Sequence, residues 1–496
     1  MSDDYEIVIG LEVHSQLLTE SKMFCACAAT YQDVEPNGNV CPVCLGMPGV
    51  LPTVNRKAVE FVVRTGVALG CSISTFTKFD RKNYPYPDLM KGYQISQYDL
   101  PIAYSGSLTI DTDIGEKKIG ITRVHMEEDV AKLSHGIGDL GKGYSLLDVN
   151  RAGVPLMEIV SEPDLRSPDE ARNYLIQLQR IVRYLKVSSA NMEEGNFRCD
   201  ANISVRPRNT QGLGSKVEIK NMNSFRAVHK ALEYEAHRQI EARKSGVRIV
   251  QETRGWDESA ETTFSQRVKE EENDYRYFPE PDLPPLVIDE EWISDINSKI
   301  PELPREKEIR LREEYGFSSD EASQLTSDQD VAEYFEEIIT IAKLYDDQKK
   351  QFAKTVWNWM IVELARLRNL YSDQIADVKI KPIDIVSIIS LTEEGSLSST
   401  MAKDVFETMY KTGQSPAIIV ESKGISQINN IDSIQLVVKK VMDDNATAVQ
   451  AYLNGKNQAI RFLVGQVMKN SRGQANPKIV NDLLKEKLES LREYAP

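Results

Sequence analysis

The chain has 496 residues, 41% of them hydrophobic and 27% charged, with a formal net charge of −15. That length suits roughly two to four domain-sized units, and the acid excess excludes a bulk basic footprint for nucleic acid. The N-terminus MSDDYEIVIGLEVH lacks the basic and apolar regions of a signal peptide and no apolar run reaches membrane-spanning length, so a cytoplasmic protein without a membrane role is expected.

In chain order, strand-like runs come first: Ile7–Leu18, Ile119–Glu127, Tyr144–Asn150, Asn202–Arg206 and Lys216–Lys220. A helix is expected over 168–186. Ser167 caps it, Pro168 opens it, Asp169 and Glu170 suit its dipole, and Leu175, Leu178, Val182 and Leu185 keep helical spacing. A second helix is expected from Ser224 to about Lys244. This half reads as α+β with a largely antiparallel sheet. The stretch FPEPDLPPL places four prolines within seven residues, which disrupts helix and central strand alike. Beyond it the pattern is helical over 304–315, 328–345, 348–370 and 382–392, and Asn476-Pro477 signals a last helix. The expected organisation is a catalytic domain over 1–292, a helical domain over 293–405 and a helical tail over 406–496. From Phe406 to the end, twelve Lys and Arg face nine Asp and Glu, a net of +3, so the preceding 405 residues carry −18.

Cys25-x-Cys27, thirteen residues, then Cys41-Pro-Val-Cys44 supply four thiolates in two close pairs. Tetrahedral zinc needs such an arrangement, and four thiolates would make the ion structural, with no open position. Buried or redox-active thiols are the competing reading.

Four strands present carboxylates beside basic groups on one face. Period-two geometry puts Glu12 beside His14, and Arg123 beside His125 and Glu127, with Glu128 and Asp129 following. It likewise groups Arg198, Asp200, Asn202 and Ser204, and then Lys216, Glu218 and Lys220. Any one strand reads as an ordinary solvated face. Four of them, rich in His, Asn and Asp, favour an active face. Carboxylates with one His suit Mg2+ or Mn2+, and nearby Arg and Lys neutralise phosphate oxygens, which together serve phosphoryl transfer.

The segment FDRKNYPYPDLMKGYQISQYD mixes Arg81, Lys82 and Lys91 with Tyr84, Tyr86, Tyr93 and Tyr98. It could stack on nucleotides, line a polar passage, or simply pack its tyrosines at the surface. Gly136-x-Gly138-x-x-Gly141 fits a dinucleotide fingerprint by letters only, because a strand pattern follows it. No P-loop signature and no nucleophile elbow are present.

The segments IGLEVHSQL, PGVLPTVN, FDRKNY, YQISQYD, HMEEDVAK, NRAGVPLMEIVSEPD, MEEGNFRCDANIS, EIKNMNSF, DYRYFPEPD, FLVGQVMK and GQANP resemble the B subunits of tRNA-dependent aspartyl/glutamyl amidotransferases. The archaeal-type subunit ranks second, since its additional inserted domain has little room here. The resemblance implies a cradle-like α+β domain with an ATP and Mg2+ site that phosphorylates the side chain of Glu on tRNA(Gln) or Asp on tRNA(Asn). It implies ammonia from a separate amidase subunit, a small third subunit completing a heterotrimer, and tRNA held by the helical tail. Carried over by motif, Glu12, His14, Glu128, Asp200 and Glu218 would serve catalysis, with Glu12, His14, Glu128 and Glu218 on the magnesium. Arg198, Asn202 and Lys220 would bind the nucleotide, and Lys82 and Lys91 would line the ammonia passage. Strand parity prefers Glu127 where the family pattern prefers Glu128; a bulge there would reconcile them. The other class of function is a non-catalytic, zinc-bearing tRNA scaffold, which would bind tRNA without ATP-dependent chemistry.

Overall fold

The computed structural model describes residues 4–135, 144–210, 212–268, 275–344, 346–424, 431–454, 456–471, 475 and 477–493. Gly136, Gly138, Gly141 and Asn476 lie outside the described residues. The chain divides into two compact units, Met1–Pro304 and Arg305–Pro496.

In the first unit the elements are β1 (Tyr5–Gln16), α1 (Arg56–Ala68), β2 (Ser72–Ile73), β3 (Phe76–Thr77), β4 (Asp80–Asn83), β5 (Tyr93–Ser96), β6 (Ala103–Thr112), β7 (Gly115–Glu128), β8 (Lys132–His135) and β9 (Ser145–Asp148). There follow β10 (Pro155–Ser161), α2 (Pro168–Tyr184), β11 (Phe197–Pro207), β12 (Val217–Met222), α3 (Phe225–Lys244), β13 (Glu252–Asp257), β14 (Thr262–Val268), β15 (Phe278–Pro279), β16 (Leu286–Val287) and α4 (Glu290–Ser298). Among the described residues, nine strands form one sheet in the order β14-β13-β12-β11-β1-β10-β7-β6-β2. Its neighbours are antiparallel except the parallel pair β12–β13.

Alternation on β1 decides how the sheet is buried. Ile7, Ile9, Leu11 and Val13 point to one face and enter a core with Tyr174 and Leu178 of α2 and Val228 and Leu232 of α3. Burying each such side chain contributes about 1.5–3 kcal/mol relative to exposure. The opposite face therefore receives Glu12 and His14. The expected helices form where their caps stand. Ser167 accepts a hydrogen bond from the Glu170 N–H, and Ser224 accepts one from that of Ala227. Ser167→Ala is expected to destabilise the first unit by about 1 kcal/mol, read as a lower midpoint in thermal unfolding.

The proline-rich stretch is not a free connector. β15 pairs with β4 and β16 with β3; Pro279 sits on the short edge strand β15, where a missing N–H costs no ladder bond, and the other three prolines lie between the two strands.

The second unit is helical, with two hydrophobic clusters among the described residues. One gathers Leu311, Phe335, Val356, Ile388 and Phe406, among others. The other gathers Ile434, Val438, Leu463, Val480 and Leu484. The helical pattern expected over 348–370 is an α-helix that loosens to a π-helix at Trp359–Leu364 before resuming at Ala365. No helix among the described residues is long and apolar enough to cross a membrane. The antiparallel-rich sheet followed by helices is the α+β architecture expected from the pattern.

Candidate active site and metal centre

The polar face assembles because β1 lies between β11 and β10. Glu12 stands opposite Asp200, and His14 stands opposite Arg198 on one side and Glu158 on the other. Glu158 in turn stands opposite His125 of β7. His14 Nε2 lies 3.2 Å from Glu158, 3.7 Å from Glu12 and 3.9 Å from Glu127. His125 Nε2 lies 3.5 Å from Glu158 and 3.7 Å from Glu127. Lys82 reaches Glu127 at 3.4 Å. At the other end Lys220 Nζ bridges Asp200 at 2.5 Å and Glu218 at 3.1 Å. The Thr253 hydroxyl donates to Glu218 at 2.8 Å.

Electrostatics divides these groups into two kinds. Burial pushes the His14 imidazolium down, but its hydrogen bond to Glu158 and the charges of Glu158, Glu12 and Glu127 outweigh that and raise it to about 9. Burial likewise opposes ionisation of Glu158, yet His125 and His14 bring it to about 2. Burial raises Glu127, and Lys82 and His125 overcome this to hold it well below the usual carboxylate range. Glu12 differs: burial and the charge of Glu158 raise it. It is the carboxylate that lacks a sufficient cation.

That deficit fits a divalent ion. Ligand atoms of Glu12, His14 and Asp200 lie within 4.8 Å of one another, as do those of His14, Glu127 and Glu158. Asn202, opposite Glu218 and Gly10, has a buried side-chain oxygen with no hydrogen-bond partner among the described residues. It is a hard acceptor available to a ligand.

The sequence-derived residues are thus only partly brought together. Glu12, His14, Asp200, Glu218 and Lys220 are contiguous. Arg198 turns to Asp129 at 2.9 Å, and Gln16 donates to the same carboxylate at 2.6 Å. Glu128 stands apart from them. The register of β7 against β10 is regular across Glu127 and Glu128, so there is no bulge and the two point to opposite faces. Glu128 accepts from Lys91 at 2.5 Å and from the Ile95 N–H at 3.0 Å. Glu127 occupies the place beside His14. Sequence reasoning missed Glu158, and it named His125 on its strand without selecting it. The signal for Glu158 was a lone acid in the apolar run PLMEIVS, which must be paired if buried.

The two tyrosine-rich stretches pack on each other around Lys82. Tyr98 stacks on Tyr277 with centroids 4.3 Å apart, Tyr84 meets Tyr275 edge-on at 5.8 Å, and Lys82 lies 5.4 Å from the Tyr275 ring centre. Arg81 makes a two-pronged pair with Glu280 at 2.7 and 2.8 Å.

Four thiols gather at the other centre. The sulfurs of Cys25, Cys27, Cys41 and Cys44 lie within 4.8 Å of one another. Those of Cys41 and Cys44 are 3.9 Å apart. Zinc–sulfur bonds of about 2.3 Å at the tetrahedral angle require sulfurs about 3.8 Å apart, so the cluster fits zinc. The hydrogen bond between Cys25 and Cys44 lowers the Cys44 thiol to about 4 and raises that of Cys25, while burial raises Cys27 to about 11. The fully buried Lys22 lies close enough to Cys44 to favour its thiolate.

The family described as GatB/GatE catalytic domain matches residues 7–294, and that described as GatB domain matches residues 333–488. A Dehalococcoides mccartyi protein, named as the B subunit of aspartyl/glutamyl-tRNA(Asn/Gln) amidotransferase, is 53% identical over 487 residues, covering 98% of this chain and 99% of that one. Its namesake from Carboxydothermus hydrogenoformans is 52% identical over 488 residues, covering 98% and 100%. With both domain matches on one chain and relatives aligned nearly end to end, the chain belongs to the family of aspartyl/glutamyl-tRNA(Asn/Gln) amidotransferase B subunits.

Proposed function

We propose that this chain activates the side-chain carboxylate of Glu on tRNA(Gln), or of Asp on tRNA(Asn), with ATP, and that ammonia then converts it to the amide. The observation that carries the proposal is the carboxylate–imidazole face of Glu12, His14, Asp200 and Glu218, flanked by Lys220 and Lys82. An acidic face alone would repel phosphates. With a cation it becomes a phosphoryl-transfer site.

Mg2+ held by Glu12, His14, Asp200 and Glu218 would neutralise phosphate oxygens and align them for transfer. Lys220 would bind the nucleotide phosphates, the Asn202 oxygen would accept from a nucleotide hydroxyl, and Arg198 would reach the phosphates only by leaving its pair with Asp129. The side-chain carboxylate attacks the γ-phosphorus, the bond to the β-phosphate oxygen breaks, and ADP leaves. The ammonia lone pair then attacks the acyl carbon, the C–O bond to phosphate breaks, and the nitrogen loses a proton. Phosphorylation is needed because a carboxylate oxygen is otherwise not a leaving group, and water must be excluded until ammonia arrives. Lys82 and Lys91 would line the route for that ammonia. A separate amidase subunit would release it from glutamine, and a small third subunit would complete the heterotrimer. Structural zinc would occupy the four cysteines, and the helical tail would hold the tRNA.

The test is ATP hydrolysis stimulated by mischarged tRNA in the assembled complex. Asp200→Ala is expected to lower it about 10²–10³-fold, in the range of losing one preorganised electrostatic group, with tRNA binding intact. Undiminished turnover in that variant would remove Asp200 from the site. A complex that binds mischarged tRNA but never couples ATP to amide formation would be a scaffold instead.

A further inference from the structure

The cysteine cluster borders a cavity of about 220 Å³ whose lining includes Cys25, Cys44, Gly46, Lys91, Glu128 and Gly153. A water-sized molecule needs about 10–15 Å³ of such space, so the cavity has ample room for ammonia. Glu128 closes one side through its 2.5 Å pair with Lys91. The adjacent residue, Glu127, belongs to the His14 site on the other face of the strand. Gln94 spans the partition, donating to the Glu127 carboxylate at 3.2 Å and to the Glu128 carbonyl at 2.8 Å. The cavity and the acidic site are therefore separated by a partition of single residues.

Glu128 pairs with the head of Lys91, and the cysteine loop packs against its stem and backbone. Gly46 follows Cys44 by two residues and takes a left-handed conformation at φ +66°. It approaches Lys91 so closely that a Cβ at Gly46 would sit 2.7 Å from Lys91 Cγ and 3.1 Å from its backbone N and Cα. Only glycine satisfies both conditions. The turn that presents it is tied to the sulfurs: the Cys41 N–H donates to the Cys44 sulfur at 3.1 Å, and the Gly46 N–H to the Val43 carbonyl at 3.0 Å.

We infer that the metal-holding cysteine knot is a wall of the ammonia passage and a positioning device for Lys91, so that loss of its metal uncouples ammonia supply from amide formation. This rests on the proposed function. A relaxed knot releases the Gly46 turn from Lys91 and removes one wall of the cavity. Ammonia then escapes before reaching the activated carboxyl group.

The experiment uses the assembled complex with Cys41→Ser and Gly46→Val, each supplied with glutamine or with ammonium chloride. Glutamate released per amide formed, zinc per chain and thermal unfolding are measured together. Cys41→Ser is expected to lose zinc. Gly46→Val keeps all four thiols, is expected to keep the zinc content of the wild type, and carries the test if Cys41→Ser fails to fold. Both are expected to raise the glutamate-to-amide ratio about tenfold, while ammonium-supported amidation stays within about twofold of wild type, because delivery and not chemistry is impaired. Equal losses with both ammonia sources, or an unchanged ratio in folded Gly46→Val, would overturn the inference. Failure of the wild-type complex to form amide from ammonium and ATP would instead sink the proposed function beneath it.

Discussion

Glu127→Ala is expected to depress amide formation about 10²–10³-fold with glutamine and with ammonium alike, a loss in the range seen when a preorganised charge is removed. Glu128→Ala is expected to lose mainly the glutamine-supported reaction. The two acids are neighbours in sequence with opposite surroundings. Glu127 is 2% exposed, lies 3.9 Å from His14 and 3.7 Å from His125, and accepts from Ser96 at 2.7 Å. Removing it leaves Lys82 and two imidazoles around a void, a change that typically costs about 3–5 kcal/mol where a buried pair is broken from one side. His14 would then lose one of the charges that hold its proton, and the groups around Glu12 would reorganise. Glu128 instead faces the cavity and pairs with Lys91. Parallel rate measurements with the two ammonia sources, together with unfolding midpoints, check both statements. Equal behaviour of the two variants would show that the opposed faces of β7 have no functional meaning.

The largest effect on stability away from the site is expected at Glu235. This carboxylate on α3 is 0% exposed, yet it accepts from Arg238 at 2.6 and 2.9 Å, from Gln239 at 2.9 Å and from Thr263 at 3.0 Å. Arg254 Nε stands 3.5 Å away. Glu235→Ala leaves two guanidinium groups short of a partner and is expected to cost about 3–5 kcal/mol. Glu235→Gln, which keeps the shape and one acceptor oxygen, is expected to cost less. Denaturant midpoints of the two variants test the order. The consequence reaches the site along β13, where Thr253, next to Arg254, holds Glu218. Activity of Glu235→Ala should therefore fall at temperatures where the wild type is still fully active.

Much of the fold was legible locally. Ser167-Pro168 and Ser224 start helices because the cap oxygen satisfies an orphan N–H within three residues. The faces of β1 and β11 follow from alternation, since a pleated strand sends every second side chain the same way. Glu127 and Glu128 point to opposite faces because β7 stays regular to its end. The pairing of the proline-rich stretch with β4 and β3 was not legible, because edge pairing depends on a strand far away in the chain.

The polar stripe on each strand, the four-thiol cluster and the α+β order of elements follow from the amino acids alone, because alternation, ligand spacing and caps are properties of short segments. Strand order is different, and it emerges only when the whole sheet closes. Placing β1 between β11 and β10 gives His14 its partner Glu158, and the parallel β12–β13 pair brings Thr253 to Glu218. Such contacts are set by which distant segments can close on one another and bury their apolar faces together, and no local pattern encodes that choice.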